Sequence, residues 1–136
     1  MQHLGLLTLA LLIIGLWFVV TKWPGGMHMT FSQHAAKNRS STIFYALLFL
    51  ITLPLLMLFF SAWLVPDKNL PASFLWFAWV AIAFQIVCTW VPEDSGTKTI
   101  IHRILTGISG IALLPLVAII SISPNVSTFP RTIAII

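Results

Sequence analysis

Four apolar stretches, each about as long as a bilayer is thick, occupy most of this chain and leave it few ways to fold. They cover roughly residues 4–22, 42–65, 72–91 and 99–122, and none carries Asp, Glu or Lys in its middle. A helix needs about 20 mainly apolar residues to cross the hydrocarbon core. Prolines mark their ends: Pro24 follows the first stretch, and Pro66, Pro92 and Pro124 close the next three. Only 7% of the 136 residues are charged, against about 25% in soluble domains. So few charges cannot cover the surface of a water-soluble fold. The sequence therefore predicts an all-α integral membrane protein, a single antiparallel bundle of four transmembrane helices over residues 1–136, with the lipid bilayer as its main partner.

The first stretch reads as a retained span. Residues 1–16 hold no Lys or Arg, and the run ends in Trp17-Phe18-Val19-Val20, unlike the basic start and small-residue cleavage site of a signal peptide. Basic residues near span ends set orientation. Lys22, Lys37, Arg39, Lys98 and Arg103 fall on one side, and Lys68 and Arg131 on the other. That bias predicts cytoplasmic loops at 23–41 and 92–98 and an outside N-terminus, in a cell inner membrane. The basic residues stand singly and form no stripe, which excludes nucleic acid as a partner. Trp17, Trp23, Trp63, Trp76 and Trp90 lie near span ends as an interfacial belt, while Trp79 sits deeper, as a core candidate.

Within the spans there is little chemistry. Cys88 is the single cysteine and reads as a small buried hydrophobe. Pro54 and Pro115 should kink their helices. Thr106, Gly107 and Gly110 put small residues on one side of span four, where helices can approach closely. Gln85 and Thr52 are the most polar mid-span residues, explained by helix–helix hydrogen bonds. The absence of ionisable groups at span centres argues against ion-coupled transport, while a homo-oligomer stays open. Beyond Pro130-Arg131, the run Thr132-Ile133-Ala134-Ile135-Ile136 resembles the start of a fifth span, as if the chain were truncated there, or a tail that docks on the bundle.

The loops hold one constellation. Thr30 and Gln33 have capping-box spacing, which predicts a helix from Phe31. His28, Ser32 and His34 on this segment share the cytoplasmic face with Glu93, Asp94, His102 and Arg103. In a chemical reading, His34, Glu93 and His102 form a His₂Glu set for a divalent metal such as zinc. Alternatively, one histidine acts as a general base beside Ser32, with Ser32, His34, Glu93 and His102 as the candidate catalytic residues. Against it, no His-x-x-x-His or Glu-x-x-His spacing occurs. In the plainer reading, Glu93 pairs with Arg103 or Lys98, His102 bonds a nearby carbonyl, His34 faces headgroups, and there is no cofactor. The plainer reading is preferred: a non-enzymatic polytopic membrane protein acting through helix or lipid contacts. A membrane-boundary hydrolase or metal-binding protein is the alternative.

Three short motifs carry a resemblance: Thr30-Phe31-Ser32-Gln33-His34-Ala35-Ala36, the Val91-Pro92-Glu93 turn, and Ile101-His102-Arg103 opening the last span. Their order is similar to that in a prokaryotic family of polytopic membrane proteins known as domain of unknown function 998, over roughly residues 24–120. The resemblance implies a helical membrane fold with about six spans, two more than are seen here, and implies no particular reaction. It places Ser32, His34, Glu93 and His102 on the family's polar motif. In layout alone, the cluster also resembles intramembrane metal-dependent hydrolases that include the alkaline ceramidases. The second and third metal ligands of that superfamily have no clear counterpart in this sequence.

Overall fold

The computed structural model describes residues 2–26, 28–91, 93 and 96–126, and the elements below are drawn from these. Seven helical segments follow one another: α1 (Gln2–Lys22), α2 (Phe31–Ala35), α3 (Arg39–Phe59), a π-helical turn (Phe60–Leu64), α4 (Val65–Lys68), α5 (Ser73–Thr89) and α6 (Gly96–Ile122). The expected all-α bundle is present. Three helical stretches are long and apolar enough to cross a membrane: His3–Lys22, Arg39–Lys68 and Gly96–Ile122. The predicted span at 72–91 contains a helix of only 17 residues, about 26 Å long at 1.5 Å per residue, somewhat short of the roughly 30 Å hydrocarbon core. The Ile-rich C-terminal run, Asp94 and most of the Pro92–Gly96 turn lie outside the described residues.

The principal packing runs in chain order, α1 on α3, α3 on α5 and α5 on α6. Each contact follows from a stripe at three- and four-residue steps. On α1, Thr8, Gly15 and Val19 are buried, with Leu12 half-buried between them. On α6 the buried stripe is His102, Ser109, Ala112 and Leu116. Phe74, Ala78, Ala81 and Ile82 of α5 face the same core. Large apolar side chains such as Leu7, Ile14, Ile111 and Leu114 cover the outside, an arrangement compatible with an apolar solvent.

Close helix approach occurs on a different helix from the one expected. A Cβ at Gly107 or Gly110 would meet open space. The tight glycines are on α1: a Cβ at Gly15 would come within 2.4 Å of Leu48 Cδ1, and one at Gly5 within 2.8 Å of the Phe59 ring. Trp79 is 57% exposed and points outward rather than into the core.

Polar groups inside the helices mostly satisfy themselves. Thr52 Oγ1 donates to the Leu48 carbonyl of its own helix at 2.7 Å, not to a neighbour as expected. Thr8, Ser61 and Ser121 make the same four-residue back-bond. Such bonds remove the cost of a hydroxyl in hydrocarbon without a partner helix. A hydroxyl bond between helices comes instead from Ser109 Oγ, which donates to Ala81 O of α5 at 2.9 Å. Gln85 makes no hydrogen bond among the described residues and lines an apolar cleft of about 280 Å³.

Pro66 does not close the second stretch. The helix runs through it to Lys68 and stops at Asn69, whose φ of 49° is left-handed. The π turn explains this. Val65 N–H donates to Phe60 O, one residue further back than in an α-helix, and the widened turn frees the proline ring from its usual clash with the carbonyl four residues earlier.

Candidate functional site

The polar face is built by two successive capping boxes. Thr30 Oγ1 accepts from Gln33 N–H at 3.2 Å, and Gln33 Oε1 accepts from Thr30 N–H at 2.9 Å. This is the predicted box, and it starts α2 at Phe31 as expected. The chain then breaks at 36–38 and restarts through a second box, in which Asn38 Oδ1 accepts from Ser41 N–H at 2.9 Å. Ser41, fully buried, donates to Ala35 O at 2.7 Å and so fixes α2 against the start of α3. Lys37 Nζ donates to the Pro24 carbonyl and closes the loop over α2.

Glu93 arrives on this platform from the α5–α6 turn. Its Oε2 accepts from Ser32 Oγ at 2.8 Å and from Thr30 Oγ1 at 3.2 Å. Its Oε1 accepts from Arg103 Nε at 3.3 Å, an ion pair in which Glu93 is 9% exposed and Arg103 70%. Burial by itself pushes the Glu93 carboxyl up, but hydrogen bonds from Ser32, Arg103 and Thr30, together with the charge of His102, outweigh it and hold the carboxyl below its ordinary range.

The two histidines look elsewhere. His34, only 5% exposed, does not face headgroups; its Nδ1 lies 2.9 Å from Trp23 O. His102 Nδ1 lies 2.6 Å from Val91 O. Carbonyls only accept, so each Nδ1 carries the proton. His102 also touches Cys88 Sγ, at 3.4 Å from Nδ1, and Cys88 Sγ meets Thr106 Oγ1 at 3.0 Å. Of the four residues singled out in the sequence, then, the structure joins Ser32 to Glu93, and gives His34 and His102 separate backbone partners. Among the described residues no three His, Cys, Asp or Glu side chains converge as metal ligands.

No protein-family model, curated protein or solved structure matches this chain. The site therefore has to be read from its own chemistry. Sequence reasoning missed Thr30 as a ligand of Glu93, because its role as a helix cap explained it fully. It also missed the Cys88–His102–Thr106 contact. Cys88 stands fourteen positions before His102, with a turn between them, so no local spacing signals the pair.

Proposed function

We propose that this is a four-span membrane protein that acts through helix and lipid contacts, with its Glu93 cluster serving to hold the bundle together rather than to catalyse a reaction. The observation that carries this reading is the engagement of each chemical group by a structural partner. Glu93 is held by Ser32, Thr30 and Arg103, and both histidines use Nδ1 on backbone carbonyls.

The same bonds support α5 as the fourth span. Ser32 lies just before α3 and Glu93 just before α6, so their contact puts the starts of both helices at one end of the bundle. Asn125 Nδ2 donates to Lys68 O at 3.1 Å and puts both of their far ends together at the other. The chain must return between them, and α5 is the segment that does so. Trp76, Phe77 and Val87 on its exposed side suit lipid. The basic bias of the Ser32–Glu93 end makes that end cytoplasmic, and a bacterial inner membrane suits the short loops.

A hydrolase is the second reading, and the 2.8 Å Ser32–Glu93 bond is the observation in its favour. A general base works best with a pKa near the operating pH. Glu93 is displaced the other way, below the ordinary carboxyl range, and neither histidine bonds Ser32 among the described residues. The deciding test is a fluorophosphonate probe applied to the purified protein in detergent. Ser32 should remain unlabelled, whereas stoichiometric labelling lost in Ser32→Ala would establish the hydrolase.

A further inference from the structure

Where α1 meets α2 there is a hollow of about 480 Å³, lined among others by Gly25, Met29, Thr30 and His34. None of the groups that hold Glu93 explains its two most distinctive walls. A Cβ placed on Gly25 would stand 2.4 Å from Met29 Sδ and 2.9 Å from His34 Cε1. The thioether sulfur and the Cε1–Nδ1 edge of the imidazole thus both face the space beside Gly25. Met29 is anchored there, since its Sδ accepts from Gly26 N–H at 3.3 Å.

His34 has the features of a prepared ligand. Its Nδ1–H is committed to the Trp23 carbonyl, which leaves the Nε2 lone pair with no hydrogen-bond partner among the described residues although the residue is 5% exposed. Metal-binding histidines are commonly oriented in this way, with the other ring nitrogen donating to a backbone carbonyl. His28, next but one in the chain to Gly26 and exposed, is a further donor of the same kind in this loop.

We propose that Met29 and His34, with His28 as a third donor, bind a soft monovalent metal ion of the copper(I) type at the junction of α1 and α2. The donor chemistry selects the ion. Thioether sulfur favours copper(I), and imidazole accepts it, whereas carboxylates and water favour harder ions. Charge points the same way. These ligands are neutral, and the Lys37 ammonium is held on Pro24 O beside the site. A neighbouring cation opposes a divalent ion about twice as strongly as a monovalent one. Thr30 is a wall of this hollow and a donor to Glu93, but the site uses neither Glu93 nor His102 as a ligand.

The test is competition between the detergent-purified full chain and a chromogenic copper(I) chelator under reducing conditions, with silver(I) as a redox-inert probe of the same class. One ion per chain is expected. Met29→Leu keeps size and apolarity, and it should weaken binding by about tenfold or more, the lower end of what even outer-shell partners of a metal contribute. His34→Gln should do the same. Should His34→Gln disturb α2, Met29→Leu still decides the question. Cys88→Ala and Glu93→Gln should leave binding unchanged. The proposal is overturned by absence of copper(I) binding, by binding indifferent to Met29→Leu, by loss in Cys88→Ala, or by a preference for zinc that depends on His102.

Discussion

Ser32 Oγ donates to Glu93 Oε2 at 2.8 Å, joining two residues 61 positions apart. With the longer Thr30 bond it fastens α2 to the turn before α6. Because Glu93 is 9% exposed and charged, its donors matter more than surface partners would. A hydrogen bond to a charged group contributes about 1.5–3 kcal/mol. Ser32→Ala should therefore lower stability by about that amount, and Glu93→Gln, which also removes the Arg103 ion pair, by at least as much. Unfolding of both variants by denaturant in mild detergent measures this. Two variants as stable as the parent would show that the bond holds nothing.

The pH dependence of this fastening has a definite sign. Glu93 is held below the ordinary carboxyl value of 4.5 in the folded protein. Its charged form is thus the stabilised one. The contribution is present in full above the unfolded value and is lost as pH falls through the lower folded value. The difference in stability between the parent and Glu93→Gln should stay level from neutral pH down to about 5 and shrink below 4.5. A difference that instead grows on acidification would assign the effect to another group.

Local chemistry made part of this structure legible in advance. The capping box at Thr30 and Gln33 depends on spacing within four residues, and it appears where expected. So do the long apolar helices, because hydropathy is a local sum. What escaped were contacts set by the relative rotation of helices. Gly107 and Gly110 looked like a packing face, but α6 turns His102, Ser109 and Leu116 inward and leaves those glycines outside. Both faces of α6 are apolar enough for lipid, so composition could not choose between them. The polar cluster was half legible for the same reason. Charge and sidedness brought Ser32 and Glu93 to one end of the bundle, but the rotation that gives His34 to Trp23 O and His102 to Val91 O is a tertiary outcome.

That difference between glycines can be measured directly. Ala gains about 1 kcal/mol of helix propensity over Gly at either position. At Gly15 the new Cβ collides with Leu48, itself buried, and overpacking of this kind costs about 1–3 kcal/mol. At Gly107 it meets open space. Gly15→Ala should be destabilised relative to Gly107→Ala, and the latter should equal or exceed the parent. Thermal melts in a single detergent give the comparison, and equal melting points for the two variants would contradict the packing of α1 on α3.

Sidedness offers the sharpest test of the four-span arrangement, because α5 is the helix whose length leaves its crossing open. If α5 spans, Pro71 before it and Thr97 after it lie on opposite faces of the membrane. Cys88 is fully buried and is the single cysteine, so an impermeant reagent does not reach it and it can stay in place. Pro71→Cys and Thr97→Cys, both at exposed positions, can then be probed in intact cells with a membrane-impermeant maleimide. Pro71→Cys should label from outside, and Thr97→Cys only after permeabilisation, because the end that carries Lys22, Lys37, Arg39 and Arg103 is the one expected in the cytoplasm. Were both to label from the same face, α5 would have to lie along the membrane, and the Ser32–Glu93 bond could not form beside an α3 that crosses.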